Sequence, residues 1–275
     1  MLVTLSDGYQ LNVESAGDGV PLIVLHGGGT THRSFRPYLD PLHTDFRVFY
    51  VDQRGQGASQ PVDPGTLSLG VLARDVDLLA EALGMKHFAL LGHSFGAFIA
   101  MQHAVEAGTA FAYVISGGSD ASDALMADVG TSLEAMGEAG KPIAASWEEE
   151  KTVETEEQLR ELLRVQMPFH FHGEPPPGYC EDAVGSADVV RHFARVGWGD
   201  FDFRPNLADV AKPTLIIVGE HDRTTTPRAA RVLHDGIASS ELVVLPEAGH
   251  MSFVEQQDAY IEAVRTFLLG AAVKA

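Results

Sequence analysis

The stretch LLGHSFGAF, residues 90–98, sets Ser94 between Gly92 and Gly96 directly after an apolar run. Upstream, HFALLGHS is a short continuous apolar run, the pattern of a strand buried on both faces. Downstream, FGAFIAMQHAVEAG is a helix-forming segment closed by glycine. Gly92-His93-Ser94-Phe95-Gly96 is therefore a G-x-S-x-G sequence in a strand–turn–helix context. There the turn strains the serine so that its hydroxyl stands exposed, and the small flanking residues let strand and helix approach closely. A serine at a helix start is more often a cap, so the rest of the chain has to supply partners that make it a nucleophile.

A serine hydroxyl is a weak nucleophile without a base, and the base needs an orienting acid. Beyond a serine of this kind both partners follow in the chain order Ser, Asp, His. TLIIVGEHDRTTTP offers Asp222 just past a buried strand, and LVVLPEAGHMSFVE offers His250 in the loop past the next. An oxyanion formed at Ser94 needs preorganised donors. One is expected to be the Phe95 N–H. The other is expected from the glycine-rich LHGGGT segment, residues 25–30, where Gly28 lets the backbone approach a substrate.

Outward from these segments the chain alternates strand and helix. PLIVLHGGG, FRVFYVDQRG, FAYVISGG, PTLIIVGEHD and ELVVLPEAGH all have the continuous apolar character of a parallel sheet. YQLNVESAG alternates instead, as an edge strand does. In LGVLARDVDLLAEALG, Leu72, Val76, Leu79 and Leu83 recur at helical spacing and Gly84 ends the pattern. Thr226 and Pro227 have the form of an N-cap and first-turn proline before RAARVLHDGI, and a last helix is expected near EQQDAYIEAVRTFL. The fold class expected is α/β, a doubly wound, mostly parallel sheet. Residues 1–118 and 210–275 are assigned to this core. Residues 119–209, with no clear strand run, are assigned to a mainly helical cap above the strands' carboxyl ends, where open α/β sheets bind ligands.

Composition narrows the partners. The 275-residue chain carries 38 acidic and 19 basic residues, a net charge of −19, which repels phosphate backbones and anionic lipid. No apolar run approaches the ~20 residues of a spanning helix, and no basic, apolar leader opens the chain. With one cysteine, Cys180, no intrachain disulfide forms. A small-molecule substrate in the cytoplasm is expected, without nucleic acid or membrane. No cofactor or metal is expected, although His170, His172 and Glu174 in FHFHGE mimic a ligand set. Within the other motifs, His26, His93, Asp52 and Arg54 are read as loop-bracing residues, and Glu148 to Glu150 as a solvated helix face.

The order of LHGGG, VDQRGQGAS, GHSFG, GEHD and AGH resembles the α/β-hydrolase fold over essentially the whole chain. DQRGQGAS and ARVLHDGIASSELVVLPEAGHMSFVEQQDAY are similar to the proline iminopeptidase branch, which removes N-terminal residues from peptides and carries a helical cap. The resemblance implies a serine hydrolase working through an acyl-enzyme with Ser94, Asp222 and His250. Two departures bear on substrate. The branch's H-G-G-P-G loop has lost its proline in His26-Gly27-Gly28-Gly29-Thr30. Its members hold the substrate ammonium with glutamates, one directly after the catalytic aspartate, where this chain has Arg223. A second glutamate position corresponds roughly to Arg191. If both arginines line the site, neutral or acid-bearing esters, lactones or amides are expected. A carboxylesterase or lactonase is the alternative enzyme. A ligand-binding protein that kept the fold and lost turnover is the alternative from another class.

Overall fold

The computed structural model describes residues 1–106, 108–179 and 181–274. Cys180 lies outside the described residues, so the disulfide argument stays with the sequence. The chain opens with β1 (Leu2–Thr4), β2 (Gln10–Ala16), β3 (Val20–Leu25) and β4 (Phe46–Val51). Helix α1 (Leu69–Ala82) follows, then β5 (Ala89–His93), α2 (Phe95–Glu106) and β6 (Ala112–Ser116). The chain then leaves the sheet for α3 (Ser122–Met136), α4 (Gly140–Glu150), α5 (Glu156–His170) and α6 (Ala187–Arg195). It returns through β7 (Thr214–Gly219), α7 (Pro227–Gly236), β8 (Ser240–Leu245), α8 (Ser252–Glu255) and α9 (Gln257–Ala272).

The eight strands form one sheet in the order β1-β2-β4-β3-β5-β6-β7-β8. β1 and β2 run antiparallel to their neighbours and β3 to β8 are parallel. β5 and β6 are buried at every residue, because helices cover both faces. Leu72, Val76 and Leu79 of α1 point into the layer on one face, while Tyr260, Ile261, Val264 and Leu268 of α9 pack on the other. The continuous-run reading fails for β8. It is the last strand of the sheet, and Val243 and Val244 are only partly covered although their sequence looks fully apolar.

Several ties hold the segment between β6 and β7 to the sheet. Thr226 does sit at the N-cap position of α7, but its hydroxyl donates to Asp128 of α3 at 2.6 Å rather than capping its own helix. Arg228 Nε meets the same carboxylate, and its Nη2 reaches the buried Asp120 at 2.9 Å. Helix α5 begins with a reciprocal capping box between Thr155 and Gln158, which fixes its start without tertiary help. No strand occurs among the described residues of 119–209, and no helix among the described residues is long and apolar enough to cross a membrane.

Candidate active site

Ser94 stands on the turn between β5 and α2 with φ at 56°, in the left-handed region that β-carbon-bearing residues avoid. Its N–H donates to the Ser116 carbonyl of β6 at 2.9 Å, and its own carbonyl accepts from the N–H groups of Ala97 and Phe98. The turn closes only because its flanks lack β-carbons. A Cβ on Gly92 would come within 2.0 Å of the Gly96 carbonyl oxygen, and one on Gly96 within 2.3 Å of the Leu25 carbonyl oxygen. Both contacts are with backbone, so side-chain rotation cannot relieve them. Gly96→Ala is expected to lower stability by about 3 kcal/mol or more, read as a fall in urea midpoint at unchanged m-value.

Asp222 and His250 leave the ends of β7 and β8. Both are at least 95% buried. Asp222 Oδ1 accepts the N–H groups of Thr224 and Thr225 at 2.8 and 2.9 Å. Its Oδ2 accepts the Thr225 hydroxyl at 2.9 Å and lies 2.8 Å from His250 Nδ1. The carboxylate is thus held by donors on both oxygens, with one edge turned to the imidazole. The His250 N–H donates to the His170 carbonyl at the end of α5. Ser94 and His250 face one cavity of about 420 Å³.

Gly28 and Phe95 also line that cavity. Among the described residues, neither backbone N–H donates to a protein acceptor. The loop that carries Gly28 is braced from behind. His26 accepts the Gln53 N–H at Nε2, and the Gln53 amide donates to the His26 carbonyl. Burial pushes the His26 imidazole down to about 4, so it stays neutral. Asp52 binds the next turn, meeting His32 Nδ1 at 2.6 Å and accepting from Ala58 and Asn12. Arg54 pairs with Asp75 and Asp7 and lies over the Tyr9 ring. Trp198 covers Gly28 from the other side: a Cβ there would meet the indole at 2.5 Å. Trp198 itself has φ at 58°, between Gly197 and Gly199, and its ring stands edge-on to Phe95 at 5.6 Å.

Two further histidines surround His250. His93 lies 4.8 Å away between ring centres and His170 5.4 Å. Burial, reinforced by repulsion from His250, holds His93 well below the ordinary imidazole range and His170 at about 3. Both are therefore neutral near pH 7. His170 points at Thr224, while His172 turns to the opposite, outer side. FHFHGE is thus not a single cluster, because α5 ends inside it.

The two arginines do not reach the cavity. Arg223 Nη1 donates to the carbonyls of Phe171 and Pro168 at 3.0 and 3.2 Å, where a cation satisfies the C-terminal end of α5. Arg191 donates to the Val153 carbonyl at 2.5 Å and pairs with Asp188. The preference for acid-bearing substrates that was argued from them has no support from their positions. What the sequence reading missed is Glu150. It is 4% exposed, lines the cavity, and accepts from the Gln166 amide at 2.7 Å. Among the described residues no cation pairs with it. The signal was present: Ile143, Ser146 and Glu150 recur at helical spacing on the buried face of α4, whereas Glu148 and Glu149 do not.

Burial raises the Glu150 carboxyl to about 7, with the Gln166 hydrogen bond opposing the rise. Its proton is thus bound more tightly folded than unfolded, so stability should fall as pH rises from about 4.5 through 7. Glu150→Gln should remove that slope. The variant should gain on wild type by up to about 3 kcal/mol at pH 8 relative to pH 4.5, measured by urea unfolding at both values.

The chain matches the model of the alpha/beta hydrolase family over residues 22–263 and belongs to that family. It is 28% identical to a proline iminopeptidase of Clostridium botulinum, covering 94% of this chain and 93% of that protein. It is 26% identical to 3-oxoadipate enol-lactonase 1 of Acinetobacter baylyi, covering 98% and 96%. Among solved structures, a proline iminopeptidase of Mycobacterium smegmatis is similar with a TM-score of 0.79 at 20% identity, over 100% of this chain and 99% of that one. The protein is an alpha/beta hydrolase enzyme whose relatives include an iminopeptidase, an esterase and an enol-lactonase.

Proposed function

We propose that the protein is a serine hydrolase that cleaves an ester or lactone of a small, largely apolar and uncharged acyl group. The observation that carries the reading is Ser94, held at φ 56° on its turn, facing the same cavity as a His250 bound to Asp222. In the proposed reaction His250 takes the Ser94 proton as the hydroxyl oxygen attacks the carbonyl carbon. The N–H groups of Gly28 and Phe95 receive the oxyanion. Asp222 holds His250 with Nδ1 protonated and stabilises the imidazolium. His250 then protonates the leaving oxygen, and water, deprotonated by the same imidazole, releases the acid. His93 and His170, both held neutral by burial, stand beside His250 without adding a charge to the site. Trp147, Trp198, Phe98, Met126 and Met167 give the cavity its apolar wall; Arg191 and Arg223 lie outside it, and the two cations that do line it are already engaged, Lys151 with Glu148 and Arg195 with the Lys151 carbonyl.

A second reading is favoured by Glu150. A buried carboxyl in the cavity wall without a cation is suited to a substrate amine, as release of an N-terminal residue from a peptide requires. A panel of p-nitrophenyl esters, simple lactones and prolyl arylamide, with Ser94→Ala as blank, separates the two. The ester reading expects the largest kcat/KM on short or medium acyl esters or lactones, with little change in Glu150→Gln. Turnover dominated by prolyl arylamide, with KM raised in Glu150→Gln, would replace it by the aminopeptidase.

A further inference from the structure

Outside the cavity, three ligating side chains from separate segments converge on the surface. His172 follows α5, His221 sits directly before Asp222, and Glu247 lies three residues before His250. The His172 and His221 rings stack at 3.9 Å between centres and 11° between planes. Glu247 Oε2 is 3.6 Å from His172 Nε2, and one ligand atom from each of the three residues lies within 4.8 Å of the others. A carboxylate of Glu220 stands 4.0 Å from His221 Nε2.

The backbone around these side chains is fixed. Glu255 gathers the N–H groups of His172 and Gly173 on one oxygen and that of Gly249 on the other, at 2.7–2.9 Å. The His221 N–H donates to Ala248. Glu247 is held at φ 52°, a left-handed conformation that a glutamate adopts only when its surroundings impose it.

From this juxtaposition we propose that His172, His221 and Glu247 form a binding site for a divalent transition metal of zinc's class, which fastens the exit of α5 to the two loops that carry Asp222 and His250. Two imidazoles and a carboxylate suit zinc and exclude magnesium, which takes oxygen ligands. Tetrahedral zinc places its donors about 3.3 Å apart, given bonds of roughly 2.0–2.1 Å. The three side chains are 32%, 39% and 75% exposed, so each can rotate to close that distance. The remaining coordination position is open to water or to Glu220. The metal takes no part in the reaction at Ser94, since none of His172, His221 and Glu247 lines the cavity that Ser94 faces, so the proposal stands apart from the assignment of substrate.

The test is a calorimetric titration of chelator-treated full-length protein with zinc chloride, and separately with magnesium chloride. One saturable zinc site per chain and no magnesium binding are expected. His172→Ala and Glu247→Gln should each weaken zinc by about tenfold or more, and the His172→Ala/His221→Ala pair should abolish the site. At zinc a hundredfold above Kd the wild-type Tm should rise by roughly 5–10 °C, and that of the double variant should not. The exposed His172→Ala and Glu247→Gln variants keep the test decisive if the double variant folds poorly. Absence of saturable binding would overturn the proposal. So would a zinc site of unchanged affinity in His172→Ala and Glu247→Gln, which would place the ion elsewhere, as among His93, His170 and His250.

Discussion

Ser94→Ala should abolish turnover, lowering kcat by about 10⁴-fold or more while KM changes little. The reason is chemical rather than structural. The methyl side chain leaves the backbone bonds of the turn intact, since the N–H to Ser116 and the carbonyl contacts to Ala97 and Phe98 do not involve the hydroxyl. It even relieves nothing of the φ of 56°, because alanine carries the same β-carbon. The variant should therefore melt within a few degrees of wild type and still bind substrate. Any turnover it retains would come from the oxyanion donors and from proximity alone. Substantial activity in this variant, at wild-type Tm, would mean that the acyl transfer runs through another residue.

Asp222→Asn should cost about 10³- to 10⁴-fold in kcat. Four donors converge on the carboxylate: two N–H groups on Oδ1, the Thr225 hydroxyl and the His250 ring on Oδ2. An amide has one oxygen and one NH₂ to offer. With its oxygen toward the Thr224 and Thr225 N–H groups, its NH₂ faces His250 and forces Nδ1 to accept. The proton then sits on Nε2, the nitrogen that must receive it from Ser94. With the amide flipped, NH₂ meets two backbone N–H groups and both lose their acceptor inside the protein. The first orientation costs activity, and the second costs stability as well. Steady-state kinetics combined with urea unfolding distinguishes them, and a variant unimpaired in both would contradict the assignment of Asp222.

The residues of the candidate site that the sequence singled out and the fold brings together share one property: backbone geometry fixes them. Ser94 follows from a turn that only small neighbours permit, and Asp222 and His250 from their places at the ends of consecutive parallel strands. The sheet was legible for the same reason, since runs such as LIIVG are buried by their position between two layers. The readings that failed concern where a long side chain points. Arg223 neighbours Asp222 in sequence, yet three methylenes carry its charge away to the end of α5. Arg191 likewise serves the turn before α5. Glu150 looked like one of three equivalent acids, and only the rotation of α4 separates it from its neighbours. His172, His221 and Glu247 lie on three segments far apart in the chain, and no local pattern announces that they meet.

The central claim is that Ser94 is an activated nucleophile. Labelling with a fluorophosphonate probe, followed by intact mass and peptide mapping, addresses it directly, because only a serine with a functioning base reacts. One adduct per chain, located on Ser94, is expected for wild type. No adduct is expected for Ser94→Ala, and strongly slowed labelling for Asp222→Asn. A folded wild-type protein that takes up no label, or takes it on a residue other than Ser94, would contradict the account.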